Sequence, residues 1–128
     1  VSHYETVTSW AALRQNTSII YIKATEGIGY TDPAMDEWAT GSAENRIDFG
    51  FYHYFWPRVS DAVTQADQFV QAISKYPYTC IPAIDVEESS AYSGGPTLSA
   101  AEITQAVNLF RAEVTRLTGL PCMIYVGP

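Results

Sequence analysis

Four apolar runs, separated by segments of helical periodicity, constrain the fold of this 128-residue chain more than any other feature. The runs cover residues 19–24, 49–55, 80–86 and 121–126, and they are rich in the Ile, Val, Tyr and Phe that favour β-strands. Residues 1–4 are predicted to be the end of a fifth strand. Because the runs are continuous rather than alternating, they indicate a sheet that is covered on both faces.

Between the runs, apolar residues recur at helical spacing, which predicts helices over 9–15, 33–44, 60–75 and 98–117. The last of these is preceded by Ser99 and has Glu102 three residues further on, the pattern of a capping box, and Gly119 follows its end.

The resulting order, β-α-β-α-β-α-β-α-β, predicts an α/β fold of parallel strands joined by helical crossovers. The order alone is compatible with a compact open sheet or with an incomplete barrel. A complete eight-stranded β/α barrel typically needs about 250 residues, so about five of its eight units are present here.

Charge and composition exclude several classes of function. Lys and Arg number 7 against 14 Asp and Glu, and no basic cluster occurs, so a nucleic-acid partner is disfavoured. No apolar run approaches the roughly 20 residues of a membrane helix, and no signal peptide is recognisable at the start of the sequence. A nucleotide cofactor is disfavoured because the Gly27-Ile28-Gly29 sequence lacks the third glycine of a phosphate loop.

The cysteine and histidine content gives no support to a metal site. The two cysteines, Cys80 and Cys122, each open an apolar run, and the two histidines, His3 and His53, are not clustered with them. A disulfide between the two cysteines is possible, but buried free thiols are favoured. No cofactor and no metal are therefore predicted.

The third apolar run ends in two carboxylates. Alternation along a strand places Asp85 and Glu87 on one face, with Cα atoms about 6.6 Å apart, while Glu88 points away. Two acids at that spacing raise each other's pKa, as glycoside hydrolysis requires of its proton donor. The alternative is that they cap a loop or pair with Lys23 or an arginine. We favour function because they follow a buried run directly.

Other predicted strand ends carry polar and aromatic residues. Lys23 lies near the end of the first run and Glu26 just beyond it, and Tyr125 closes the last. Tyr52, His53 and Tyr54 close the second run, with Trp56 just beyond. Aromatic rings around carboxylates suit a sugar, whose apolar faces stack on them. The alternative for the aromatics is core packing, and for His53 alone packing is favoured.

Several motifs occur together in the order seen in one enzyme family: VSHYE, YIKATEGIGYTDP, GFYHYF, QADQFV, PAIDVE and RLTGLPCMIYV. On these motifs the sequence resembles the glycoside hydrolase family 25 lysozymes along its whole length. The resemblance implies an irregular, TIM-like parallel β/α barrel. It also implies an N-acetylmuramidase that cuts the β-1,4 bond between N-acetylmuramic acid and N-acetylglucosamine in peptidoglycan.

By position, the resemblance makes Glu87 the general acid/base and Asp85 the acid that stabilises the substrate's 2-acetamido group. It places the aromatic and acidic residues of the other motifs in contact with substrate: Tyr52, Tyr54, Tyr125, Glu26 and Trp56. The expected partner is a peptidoglycan glycan strand, and the expected site of action is extracellular or at the cell wall, after secretion or phage-induced lysis.

The sequence departs from the family pattern at both ends. Family members usually carry an Asp directly before the Val-Ser pair, and this chain begins at Val1. They also continue through further strands beyond the fifth. Residues 1–128 are therefore expected to form a partial catalytic β/α-barrel domain. The alternative is a non-catalytic peptidoglycan-binding or degenerate relic of such a domain.

Overall fold

The computed structural model describes residues 1–87 and 98–127. Its strands are β1 (Ile19–Glu26), β2 (Tyr30–Thr31), β3 (Asp48–Tyr54), β4 (Ala83–Val86) and β5 (Met123–Val126). Its helices are α1 (Trp10–Asn16), α2 (Met35–Glu44), α3 (Ala62–Ile73) and α4 (Ala100–Thr118). Within these described ranges, no helix is long and apolar enough to span a lipid bilayer.

All strands belong to one sheet in the order β2-β1-β3-β4-β5. The β1–β3, β3–β4 and β4–β5 pairs are parallel, as the alternation of runs and helices predicts. The parallel barrel is not confirmed, because over the described residues the sheet is open and mixed, with β2 antiparallel to β1 at one edge and β5 at the other.

The antiparallel strand β2 was not predicted. It arises because Gly27 and Gly29 adopt positive φ angles of 47° and 83°, which turn the chain back so that Tyr30 pairs with Glu26. Residues 1–4, predicted to end a strand, form none. Val1 nevertheless lies beside β1, where its carbonyl accepts from the Lys23 N–H at 2.8 Å.

The four predicted helices are present, and no helix end differs from its predicted position by more than two residues. The capping box of α4 is confirmed: the Ser99 N–H donates to Glu102 Oε2 at 2.8 Å, and the Ser99 hydroxyl accepts from the Glu102 N–H at 3.3 Å. Gly119 ends the helix in the left-handed conformation, with φ of 73°.

The core lies between one face of the sheet and the helices α2, α3 and α4. Ile22 and Phe51 contribute to it from the sheet, while Trp38, Phe69 and Phe110 contribute from the helices. Among the described residues, α2, α3 and α4 pack on this one face, so helical cover of both faces is not confirmed. The opposite face carries polar and aromatic side chains, among them the nearly buried Lys23 and Asp85. The β5 run is exposed throughout, since this edge strand pairs only with β4.

A β-bulge interrupts the pairing of β1 with β3. Lys23 pairs with Tyr52, but the next paired residue of β3, His53, lies opposite Thr25, so Ala24 is the extra residue. The bulge reverses the alternation of β1 beyond this point.

Candidate active site

A row of four side chains crosses the sheet near the C-terminal ends of its parallel strands. The register pairs Glu26 with Tyr54, Tyr54 with Asp85 and Asp85 with Tyr125. Because residues in register point to the same face of a sheet, all four lie on the face opposite the helices. In α/β folds, ligands bind at the C-terminal ends of the parallel strands, which is where these polar groups lie.

A cavity of about 410 Å³ opens on this face. Among its lining residues are four that the sequence singles out: Asp85, Glu87, Tyr52 and Tyr125. Val1, Tyr21, Ala83 and Met123 complete the lining. Tyr54, Glu26 and Trp56 are not part of it, although the first two share the row with Asp85.

Asp85 is almost completely buried, with 7% of its surface exposed. Its Oδ1 atom has no hydrogen-bond partner among the described residues. Burial, followed by the neighbouring charge of Glu87, raises the pKa of this carboxyl to about 6, while the charge of Lys23 acts in the opposite direction. The carboxyl therefore changes its charge close to neutral pH.

Glu87 follows β4 directly, is half-buried and faces the same cavity. Gly127, just after β5, packs on its side chain, so that a Cβ atom at Gly127 would lie 3.0 Å from Glu87 Cγ. The close approach of the backbone fixes one side of the Glu87 side chain and leaves the other side to the cavity.

Tyr52 is the half-buried aromatic residue of the cavity next to Asp85. Burial and the nearby charge of Asp85 raise the pKa of its phenol well above the usual range. The hydroxyl group therefore keeps its proton at every physiological pH and can serve as a hydrogen-bond donor to a ligand.

Lys23 and Glu26 form an ion pair on the same face. Lys23 Nζ donates to Glu26 Oε2 at 2.7 Å. The alternative to a functional role was that Asp85 and Glu87 pair with Lys23. In the structure, the ion-pair partner of Lys23 is instead Glu26. The ammonium also lies over two aromatic rings, 5.0 Å from the centroid of Tyr54 and 5.5 Å from that of Tyr30.

Trp56 packs on the hairpin turn beside β1 instead of lining the cavity. A Cβ atom at Gly27 would lie 2.4 Å from Trp56 Cδ2, so the indole occupies the space that a larger residue would need. Its Nε1 atom is buried without a hydrogen-bond partner among residues 1–87 and 98–127. Contact between Trp56 and substrate stays a prediction.

His53 lies on the helix-covered face, in agreement with its predicted role in core packing. Its Nδ1 atom is 2.7 Å from the Thr25 hydroxyl and its Nε2 atom is 2.9 Å from Gln65 Oε1. Gln65 Oε1 also accepts from the Trp56 N–H, so Nε2 of His53 is the donor and Nδ1 the acceptor. Burial lowers the pKa of His53 to about 4, which keeps the ring neutral.

Sequence reasoning missed two features of the site. Tyr21 lines the cavity and donates from its hydroxyl to the Ile81 carbonyl at 3.1 Å. Alternation with Lys23, two residues later on the same strand, could have revealed it. Asp32, just before the second predicted helix, is buried and accepts from His3 Nδ1 at 2.7 Å, which ties residues 1–4 to the end of β2.

Both cysteines are free, with Cys122 buried and Cys80 half-buried. Burial raises the pKa of the Cys122 thiol to about 12, so it remains protonated. In the part of the chain that the structure describes, no group of three His, Cys, Asp or Glu residues could hold a metal ion.

Comparison with known proteins identifies one family. The family model described as glycosyl hydrolases family 25 matches residues 1–128. The autolytic lysozyme of Clostridium acetobutylicum is 38% identical over 77 residues, which cover 60% of this chain and 23% of that protein. The N,O-diacetylmuramidase of a Chalaropsis species is 28% identical over 135 residues, which cover 100% of this chain and 64% of that protein.

The fold also matches solved structures. The bacterial lysozyme from Streptomyces coelicolor is 28% identical, with a TM-score of 0.84 over 98% of this chain and 60% of that structure. The chain thus spans less than two thirds of the length of each of these three similar proteins.

Proposed function

Because the chain belongs to glycosyl hydrolase family 25, we propose that the protein is a lysozyme acting as an N-acetylmuramidase. It hydrolyses the β-1,4 bond between N-acetylmuramic acid and N-acetylglucosamine in peptidoglycan glycan strands. Its place of action is the bacterial cell wall, reached from outside the cell or at lysis.

The observation that carries the proposal is the convergence of two carboxyl groups in one cavity on the open face of the sheet. Asp85 and Glu87 lie two residues apart on β4 and its continuation, with Tyr52 and Tyr125 beside them. A pair of carboxyl groups in unlike surroundings is what glycoside hydrolysis uses. The aromatic rings supply surfaces on which sugar rings stack.

Glu87 is the general acid/base of the proposed reaction. As an acid it donates a proton to the glycosidic oxygen that leaves, and as a carboxylate it then takes a proton from the attacking water. Its half-buried position at the mouth of the cavity supports this role, because a glycosidic oxygen can reach it there.

Asp85 stabilises the 2-acetamido group of the substrate. Asp85 lines the cavity, where its carboxyl group accepts from the acetamido N–H in the proposed complex, while its buried Oδ1 atom accepts no hydrogen bond from the described residues. A donor of that kind favours the ionised form of Asp85, against the burial that raises its pKa to about 6. The reaction needs an ionised Asp85 together with a protonated proton donor, so the pH–rate profile should be bell-shaped.

The remaining predicted contacts follow the row across the sheet. Tyr52 and Tyr125 contact the sugar from the cavity wall, whereas Tyr54 and Glu26 extend the surface towards β1. Trp56 borders the substrate next to the hairpin turn.

The decisive experiment replaces the general acid. Glu87→Gln should fold as the wild type does and should lower the release of reducing sugar from purified peptidoglycan by on the order of 10²- to 10⁴-fold. Glu44→Gln, at the exposed end of α2, is the matched control and should retain full activity. Unchanged sugar release by a folded Glu87→Gln variant would show that Glu87 is not the proton donor.

Binding measured in the same samples separates catalysis from recognition alone. Wild-type protein that sediments with insoluble peptidoglycan but releases no sugar from it would contradict the proposed hydrolysis and support the non-catalytic alternative.

A further inference from the structure

The bulge in β1 brings Lys23 and Glu26 to the same face. In a regular strand, residues three apart point to opposite faces. Here Ala24 is the extra residue, so Lys23 pairs with Tyr52 and Glu26 pairs with Tyr54. Since Tyr52 and Tyr54 share a face, Lys23 and Glu26 do as well, and that face is the one that carries Asp85.

The ammonium of Lys23 is held from several sides. Only 9% of its side chain is exposed, and Glu26 Oε2 accepts from it at 2.7 Å. The rings of Tyr54 and Tyr30 flank it at 5.0 and 5.5 Å. A lysine restrained in this way has a fixed charge at a fixed position, unlike one that extends into water.

Tyr54 separates this cation from the carboxyl group of Asp85. It is the register partner of Asp85 on one side and of Glu26 on the other, so the strands that carry the two charges are about 10 Å apart. Both charged groups are nearly buried, and the interaction between them is therefore weakly screened by salt.

We propose that Lys23 is a positioning residue whose bulge-placed ammonium sets the pH range over which the carboxyl pair Asp85 and Glu87 works. The inference rests on the proposed hydrolysis for its meaning in catalysis, but the electrostatic link between Lys23 and Asp85 is a property of the folded protein. In support, the charge of Lys23 lowers the pKa of Asp85, in opposition to burial and to Glu87.

Other titratable groups face the pair from every neighbouring strand. They are Tyr21 and Glu26 on β1, Tyr30 on β2, Tyr52 and Tyr54 on β3, and Tyr125 on β5. The tyrosines are neutral near pH 6, so among these groups Glu26 carries the charge that opposes Lys23. Removing the cation and removing its anionic partner must therefore have opposite effects.

The test is a pair of charge-neutralising variants. Lys23→Gln removes a nearby positive charge, which raises the pKa of Asp85. The bell-shaped profile of kcat/KM should move to higher pH by about 0.5 to 1 unit. Glu26→Gln removes a negative charge and should move the profile to lower pH. Lys23→Arg, which keeps the charge, should restore the wild-type profile.

The matched control is Lys75→Gln, which neutralises an exposed lysine that is paired with Asp36 on the helical side of the molecule. Its profile should coincide with that of the wild type. A purely structural role for Lys23 predicts a lower rate without displacement of either limb. That result, or displacement of Lys23→Gln and Glu26→Gln in the same direction, would overturn the proposal.

A titration of the Asp85 side-chain carboxyl by NMR keeps this inference distinct from the proposed function. The pKa of Asp85 should rise in Lys23→Gln and fall in Glu26→Gln even if the protein cleaves no glycan. An unchanged Asp85 titration in folded variants refutes the role of Lys23 independently of activity. If Lys23→Gln does not fold, the change in the pKa of Asp85 in Glu26→Gln tests the proposal alone, and a pKa that does not fall would overturn it.

Discussion

At the level of single residues, Asp85 combines two properties that oppose each other. It has lost nearly all of its contact with water, yet no described donor reaches its Oδ1 atom. A buried carboxylate without full hydrogen bonding destabilises the folded protein unless it takes up a proton. The ionised form of Asp85 therefore lowers the stability of the folded protein, and a ligand that donates a hydrogen bond to the carboxylate would offset this loss.

The stability of the protein should show this cost directly. The pKa of Asp85 rises from an ordinary value of 3.8 to about 6 on folding. Between these values the unfolded chain has lost the proton and the folded protein retains it. Stability therefore falls as pH rises from about 4 to about 6. Asp85→Asn should remove this loss and be more stable than the wild type at pH 7, by about 3 kcal/mol.

Urea unfolding of both proteins at pH 4, 5, 6 and 7 measures the effect. The difference in the free energy of unfolding should grow with pH over this range and be small at pH 4. An equal difference at every pH would mean that the variant acts through packing rather than through charge. The same variant should lose sugar release, since its amide cannot replace the carboxylate.

At the level of elements, β1 and the hairpin turn that follows it shape the site edge. The bulge directs Glu26 to the cavity face, and the turn brings Tyr30 back beside it. Trp56 packs on Gly27 and so joins the end of β3 to the turn. Substitutions in the turn should therefore change the positions of the side chains around Lys23.

Two glycines of the turn make a matched pair. Gly27 and Gly29 both have positive φ, but only Gly27 has the Trp56 ring against it; a Cβ atom at Gly29 would meet nothing within 4 Å. Gly29→Ala should cost about 1 kcal/mol of stability for backbone strain alone. Gly27→Ala should cost about 1–3 kcal/mol more, because the alanine methyl displaces the indole.

Thermal or urea unfolding of the two variants measures this difference. Equal losses of stability in both would show that Trp56 moves aside without cost, contrary to the packing described for it.

The accuracy of prediction from sequence differed between elements for physical reasons. The parallel strands and the helices were predictable because apolar period and capping residues are local signals, as at Ser99 and Glu102. The strand β2 was not, since two residues give no periodic pattern. The exposure of β5 was missed because an apolar run does not reveal how many neighbours its strand has.

Within the candidate site, alternation correctly predicts that Asp85 and Glu87 share a face, but applied to β1 it would place Lys23 and Glu26 on opposite faces. Alternation assigns residues three apart to opposite faces, and only the register with β3 reveals the extra residue at Ala24. Membership of family 25 could be predicted from several motifs together, whereas the acid pair alone indicated only a class of chemistry.

At the level of the whole molecule, the net charge of −7 should affect the encounter with the proposed peptidoglycan substrate. Cell walls are polyanionic surfaces, and like charges repel over distances set by the ionic strength. The local interactions in the cavity must therefore overcome a long-range repulsion when the target is an intact wall.

Salt should relieve that repulsion. The initial rate on intact walls should rise severalfold as sodium chloride increases from about 10 to about 150 mM, where the screening length falls to roughly 8 Å. Turbidity loss of wall suspensions measures the rate, and a short, neutral glycan fragment serves as the control that should show little salt dependence. A rate on walls that falls over the same range would contradict the expectation.

Strand β3 carries the core and the site on alternate residues. Phe49, Phe51 and His53 face the helices, while Tyr52 and Tyr54 face the cavity side. For protein engineering, the strand thus offers two independently adjustable surfaces on one backbone. A library for substrate preference would therefore vary Tyr52 and Tyr54 and keep the core residues of the strand. Gly50, on the same face, must also stay, because a Cβ atom there would lie 2.7 Å from Tyr21 Cε1 and 2.9 Å from Cys80 Cβ.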